Sequence, residues 1–237
     1  MLILGHRGYS DRFPENTMLA FEKAIEHGFD GIETDVHLSK DGQLVLCHDE
    51  KINRTSNGRG YIKDYTYKQL MQFDFGYKTS YPGQKIPLLK QLLALCRKKK
   101  IIINIEVKTN KIAYPQIEQK VYQLVKEMGM IDQVMFSSFY LPSLYQLRQL
   151  DQSLYLGYLF EDNYEANKQI CLNEGFHVHV KECFLDEDEI AVFQRCHLDI
   201  NAWDVSNRFR YLYLKEHGVN MVIANKNFKE LKVEKIG

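Results

Sequence analysis

Three short stretches near the start of this 237-residue chain carry an unusual density of reactive side chains: Gly5-His6-Arg7-Gly8, Glu33-Thr34-Asp35 and His48-Asp49. Glu33 and Asp35 are two residues apart, so on a strand they share one face. Two carboxylates on one face repel unless a cation lies between them. Oxygen ligands of that kind suit one divalent cation, Mg²⁺ or Ca²⁺, with Mn²⁺ a further candidate. A polar edge strand would carry the same pair with no ligand, but the glycine before it and the motif after it weigh against that. Further on, Glu106 and Lys108 repeat the two-residue spacing. Glu106 supplies a third carboxylate, and Arg7 and Lys108 then require an anionic ligand. A phosphate suits the whole set: the cation on one oxygen, Arg7 as a bidentate fork, Lys108 as a point charge. His6 and His48 can divide base and acid work near neutral pH. Together they fit in-line displacement on a phosphodiester.

Such groups, far apart in the chain, need a fold that gathers strand ends. Leu2-Ile3-Leu4 is a short apolar run that stops at Gly5, where the backbone can pass close to a ligand. Pro14-Glu15-Asn16-Thr17 opens a helix whose apolar positions Met18, Phe21 and Ile25 repeat at helical spacing, with Asn16 read as its cap or as a phosphate contact. Gln43 to His48 reads as a hairpin return after the Ser39-Lys40-Asp41-Gly42 turn. Residues 51–86 are polar, turn-rich and rich in tyrosine, and read as part of an insertion over about 43–86. Its tyrosines are expected to pack within it.

Regular alternation follows. Strands are expected to begin near residues 2, 31, 101, 134, 154, 176, 198 and 219, each followed by a helix. Eight βα units point to a closed α/β TIM (β/α)8 barrel with a small insertion after strand 2, as a single domain over 1–237. No Gly-x-Gly-x-x-Gly follows a strand, which removes support for a dinucleotide fold. On a barrel, the strand ends converge on one mouth, and His6, Glu33, Asp35, Glu106, Lys108 and Trp203 all fall at such ends. Trp203 is expected to touch substrate there. The basic run Arg97 to Lys100 is read as complementing a helix dipole, and His177 and His179 as internal barrel residues.

Lys+Arg and Asp+Glu both number 31, so no global field recruits nucleic acid or an anionic membrane. No apolar run approaches the ~20 residues that span a bilayer, and Met1 to Gly5 is too short for a signal peptide. The five scattered cysteines read as reduced thiols of a cytoplasmic protein. A homo-oligomer is left open by the composition.

An ordered set of motifs across nearly the whole chain resembles the glycerophosphodiester phosphodiesterases. It comprises Gly5-His-Arg-Gly8, Pro14-Glu-Asn-Thr17, Glu33-Thr-Asp-Val36, Lys40-Asp-Gly42, His48-Asp49, Arg54-Thr55, Ile86-Pro87-Leu88, Ile105-Glu-Val-Lys108 and Ala202-Trp203. The resemblance implies a TIM barrel and metal-dependent hydrolysis of deacylated phospholipids to glycerol 3-phosphate and an alcohol. It implies Glu33, Asp35 and Glu106 as metal ligands, His6 as base, His48 as acid, and Arg7 and Lys108 on the phosphate. It also implies that the substrate's own glycerol hydroxyl attacks first, giving a cyclic phosphate that water then opens. The sequence departs from the family at Leu88 (commonly Thr), Lys90 (commonly Glu), Asp204-Val-Ser206 (commonly Thr-Val-Asn) and Asn225 (commonly Asp). Two other readings share the motifs: a lysophospholipase D-like lipid phosphodiesterase, which would prefer lysophosphatidylcholine, and a non-catalytic phosphate-ligand-binding barrel, which would bind glycerophosphodiesters without releasing glycerol 3-phosphate.

Overall fold

The computed structural model describes residues 1–229. Nine strands form one sheet: β1 (Leu2–His6), β2 (Gly31–Leu38), β3 (Leu44–Leu46), β4 (Ile102–Val107), β5 (Val134–Ser138), β6 (Tyr155–Phe160), β7 (His177–Lys181), β8 (Ile200–Trp203) and β9 (Met221–Ala224). β1 pairs in parallel with both β2 and β9, which closes the sheet into an eight-stranded parallel barrel, while β3 pairs antiparallel with β2 alone. This is the expected TIM (β/α)8 architecture. The strands begin within two residues of the expected positions.

The helices are α1 (Met18–Glu26), α2 (Tyr67–Leu70), α3 (Leu89–Lys99), α4 (Ile117–Glu127), α5 (Leu141–Leu150), α6 (Tyr164–Glu174), α7 (Glu187–Arg195) and α8 (Arg208–Glu216). All but α2 follow a barrel strand and cover the outside of the sheet. Among the described residues no helix follows β9, so the eighth βα unit ends in turns over 225–229. The rest of the expected polar tail lies outside the described residues. The Arg97–Lys99 run does sit in the last turn of α3, as its role beside the helix dipole requires.

Two apolar layers follow from strand alternation. Ile3, Ile32, Ile103, Phe136, Val178 and Val222 point outward into the large shell beneath the helices. Leu4, Met135, Met221 and Ile223 point inward and plug the lumen, with Leu2, Ile102 and Tyr155 against them. The inner plug is short, and polar side chains occupy the lumen above it. The segment between β2 and α3 has a third core of its own, Val45, Cys47, Ile52, Ile62, Leu70, Phe75 and Ile86. Each such fully buried aliphatic side chain contributes roughly 1.5–3 kcal/mol. Of the insertion's tyrosines, Tyr65 packs edge-on against Phe73, whereas Tyr61, Tyr77 and Tyr81 are exposed, so the expectation of internal packing holds only in part.

Candidate active site

Strand register assembles the site. His6 on β1 lies opposite Glu33 on β2, and Asp35 on β2 lies opposite Glu106 on β4. Two neighbouring strands, β2 and β4, therefore bring the three carboxylates together beside His6 of β1, with a ligand atom from each within 4.8 Å of the others and all three buried. A cleft of about 350 Å³ opens above them. Of the nine site residues expected from the sequence, seven line it: His6, Arg7, Glu33, His48, Glu106, Lys108 and Trp203. Asp35 and Asn16 stand behind, 1% and 4% exposed.

The loop after β1 is shaped by backbone conformation. Gly8 has φ +84°, and a Cβ there would run into the backbone of Ala20. Arg7, with φ 57°, holds an uncommon left-handed conformation. That twist turns the Arg7 N–H onto Glu33, where it donates to Oε2 at 2.9 Å. The Arg7 guanidinium donates to Glu15 Oε1 at 2.9 Å, and its Nε lies 3.6 Å from Asp35 Oδ2.

Asn16 does not cap α1. Its own φ of 52° is left-handed, and Thr17 is the cap, accepting the Ala20 N–H. The Asn16 amide instead donates to Asp35 Oδ2 at 2.9 Å and accepts the Thr34 hydroxyl at 2.7 Å. Asn16 thus orients a carboxylate.

The electrostatics divide the acids. Burial raises the pKa of Glu33, and the neighbouring Asp35 and Glu106 charges push it well above the carboxylate range. Burial and Asp35 raise Glu106 too, against the pull of Lys108. At Asp35 burial is outweighed by Lys108, Arg7 and His48, so its pKa is lowered. Lys108 Nζ sits 2.9 Å from Glu106 Oε1 and 3.7 Å from Asp35 Oδ1, and these carboxylates overcome its own burial to raise its pKa. Three carboxylates face two cations, and Asp35 Oδ1 is buried with no hydrogen-bond partner among the described residues. A dense, under-neutralised set of hard oxygen donors fits a divalent cation such as Mg²⁺, Ca²⁺ or Mn²⁺.

Both histidines are held through Nδ1. His6 Nδ1 meets Asn225 Oδ1 at 2.9 Å. That oxygen also accepts the Ser10 hydroxyl, so the proton of this contact lies on Nδ1 and Nε2 is left basic. Burial and Arg7 lower the His6 pKa. His48 Nδ1 donates to Asp49 Oδ1 at 2.7 Å, and its backbone carbonyl is met by His37 Nε2 at 3.2 Å. Burial lowers His37 to about 4, and its other ring nitrogen meets the Tyr114 hydroxyl at 3.1 Å. Trp203 donates from Nε1 to the His179 carbonyl at 3.1 Å and stands edge-on to Phe139 at 5.8 Å, forming the opposite wall.

Several supporting residues escaped the sequence reading. His37 carries no motif beyond its two-residue offset from Asp35. Asn225 was visible only as a departure from a family pattern, and Glu15 and Arg54 only as parts of motifs. His179 is internal, as expected: it is fully buried, lowered to about 3 by burial, and meets Asn201 at 2.5 Å.

A model of the glycerophosphoryl diester phosphodiesterase family matches residues 6–227. A glycerophosphodiester phosphodiesterase of Caldanaerobacter subterraneus is 41% identical over 162 residues, 68% of this chain and 67% of that protein. One from Bacillus altitudinis is 33% identical, covering 94% of both chains. An uncharacterized protein of Mycoplasma genitalium is 38% identical, with 98% of both chains covered. The fold is shared with an Oleispira antarctica phosphodiesterase solved with its product sn-glycerol-3-phosphate, at TM-score 0.87, 24% identity and coverage of 97% and 94%. It is shared also with a glycerophosphodiester phosphodiesterase of Thermotoga maritima, at TM-score 0.79, 29% identity and coverage of 95% and 94%. The chain belongs to the glycerophosphoryl diester phosphodiesterase family.

Proposed function

We propose that this protein is a divalent-metal-dependent phosphodiesterase that hydrolyses glycerophosphodiesters to sn-glycerol 3-phosphate and an alcohol, with His6 as base and His48 as acid. One observation carries the reading: three carboxylates and two Nδ1-anchored imidazoles share a single cleft with Arg7 and Lys108. Glu33, Asp35 and Glu106 would hold the cation, which when bound supplies Lewis-acid stabilisation of charge on the phosphate oxygens. Arg7 and Lys108 bind the anionic diester and stabilise the equatorial charge of the transition state.

The proton inventory closes. His6 Nε2 takes the proton of the attacking glycerol hydroxyl as its oxygen bonds to phosphorus. His48 Nε2–H gives a proton to the departing alcohol oxygen. His48 is then neutral and His6 protonated. Water opens the cyclic phosphate with the roles exchanged: His48 takes the water's proton and His6 returns one to the ring oxygen. Both histidines end as they began. Trp203, with Phe139 beside it, offers an apolar wall to the carbon skeleton of the substrate.

The same reading treats the chain as one barrel domain whose insertion forms part of the rim. It assigns the protein to the cytoplasm on its five free cysteines, two of them exposed. Among the described residues no helix is long and apolar enough to cross a membrane. A product assay across glycerophosphocholine, glycerophosphoethanolamine and glycerophosphoglycerol, with Mg²⁺, Ca²⁺ and Mn²⁺ in turn, tests the function. Release of glycerol 3-phosphate is expected. Binding without release would make the protein a phosphate-ligand-binding barrel, and faster turnover of lysophosphatidylcholine would make it a lipid phosphodiesterase.

A further inference from the structure

The insertion delivers a cation that the catalytic scheme does not use. Arg54 stands two residues after Ile52, which is fully buried in the insertion's own core. Its guanidinium engages two carboxylates at once. Nη1 and Nη2 donate to the two oxygens of Glu15 at 2.6 and 2.8 Å, and Nε and Nη2 donate to those of Asp49 at 2.8 and 3.1 Å. Each of those carboxylates also accepts from a site residue. Glu15 Oε1 takes the Arg7 guanidinium at 2.9 Å, and Asp49 Oδ1 takes His48 Nδ1 at 2.7 Å. An unbroken chain therefore runs His48–Asp49–Arg54–Glu15–Arg7.

We propose that Arg54 is a positioning residue that fixes the His48 imidazole and the Arg7 guanidinium relative to one another; this rests on the function proposed above. The physical reason is geometric. A carboxylate with one partner can swing about its side-chain torsions, whereas a fork–fork pair fixes its plane. Asp49 is about a third exposed, and among the described residues its side chain is anchored by Arg54 and His48. With its plane fixed, Asp49 holds the proton on His48 Nδ1 and aims Nε2 into the cleft, as a carboxylate hydrogen-bonded to one ring nitrogen of a histidine orients the other. Arg54 also neutralises two acids at the rim of a site that must admit an anionic diester. Lysine carries the charge but not the fork.

Arg54 is not the main fastening of the insertion. The insertion has its own apolar core, and backbone hydrogen bonds tie it to barrel strand β2 through the β2–β3 pairing and from the Cys47 N–H to the Asp35 carbonyl. Arg54→Lys should therefore fold normally, which separates positioning from stability.

The test compares wild type, Arg54→Lys, Asp49→Asn and His48→Ala on two diesters of glycerol phosphate: the choline ester and an ester of p-nitrophenol, whose departure needs no proton. A correctly placed acid is worth about 100-fold or more. Arg54→Lys and Asp49→Asn are expected to lose about tenfold to a hundredfold in the first-turnover rate of alcohol release from the choline ester and much less in that of nitrophenol release, with unchanged melting temperature; the first turnover is read because ring opening, which also uses His48, is common to both. The Arg7 end of the chain is read separately, as a KM raised on both esters; equal losses of the first-turnover rate on both esters, or no change in either quantity, would overturn the proposal. A second readout does not need turnover: the His48 Nδ1–H proton resonance should be slow to exchange in wild type and broadened in Arg54→Lys. Its persistence in that variant would equally overturn the proposal. If wild type turns over neither ester, or His48→Ala shows no leaving-group dependence, the functional reading fails, and the resonance alone decides the role of Arg54.

Discussion

The two histidines are fastened in opposite ways. His6 is about a fifth exposed, hangs from the neutral amide of Asn225, and has its pKa lowered by burial and by Arg7. His48 is a third exposed and hydrogen-bonds to the carboxylate of Asp49, whose own pKa is lowered chiefly by that bond. Burial and the Arg7 charge bias the His6 imidazole toward its neutral form, against Glu33 Oε2 at 4.0 Å and Asp204 Oδ1 at 3.9 Å. The Asp49 carboxylate instead fixes the plane of the His48 ring with a proton on Nδ1. Under the proposed function this difference goes with the base role for His6 and the acid role for His48, and it arises from partners rather than from the histidines themselves.

The largest test of that contrast removes the proposed base. His6→Ala should lower turnover by about 10²–10⁴ on every diester, whatever its leaving group, while leaving metal binding intact, as read by calorimetry with Mn²⁺. Loss of metal affinity in that variant would reassign His6 to the coordination shell.

Next in size is the carboxylate cluster that both histidines face. Metal binding to folded protein alone stabilises it by about 2.7 kcal/mol at a hundredfold excess over Kd. Wild type should therefore gain melting temperature with Mg²⁺ or Ca²⁺, and Asp35→Ala should lose both that gain and activity. Glu33→Gln should raise the melting temperature of metal-free protein, because it removes a repelled, buried carboxylate.

A third test concerns histidines that the proposed scheme does not use. Unfolded, His37 and His179 protonate near pH 6.5; folded, burial holds them neutral down to about 4 and about 3. The unfolded state thus binds more protons below pH 6.5. Their contribution is complete above that pH and is lost as pH falls toward 4 and 3. Each should take away about 1.4 kcal/mol per pH unit across its window. Urea unfolding of His179→Gln between pH 7 and 5 should show a shallower fall than wild type; an unchanged slope would contradict the assignment.

The smallest expected effect is at Asn225. Asn225→Asp places a charge on His6 Nδ1 and should raise the His6 pKa. A base must be neutral, so the acidic limb of the kcat/KM profile should move to higher pH, by about one unit. A limb that does not move would separate Asn225 from the base.

Much of this was legible in the sequence because it is written locally. Two-residue spacing exposed Glu33 with Asp35 and Glu106 with Lys108, and eight apolar runs between turn signals counted the barrel strands. What was hidden depends on distant pairing or backbone twist. His6 and Asn225 are 219 residues apart and meet only because β1 and β9 close the barrel. Asn16 looked like a helix cap beside Thr17, and only its left-handed backbone turns it toward Asp35. His37 had the right strand parity to face the lumen, yet nothing local marked the His48 carbonyl as its partner.

The central claim is that acids from β2 and β4 and imidazoles from the ends of β1 and β3 act together, around one divalent cation, on one phosphodiester. The direct measurement is glycerol 3-phosphate released from glycerophosphocholine after chelation and re-addition of metal. Release should fall to background with chelator and return with Mg²⁺, Ca²⁺ or Mn²⁺ in wild type but not in Asp35→Ala. Release that continues undiminished in chelator would contradict it.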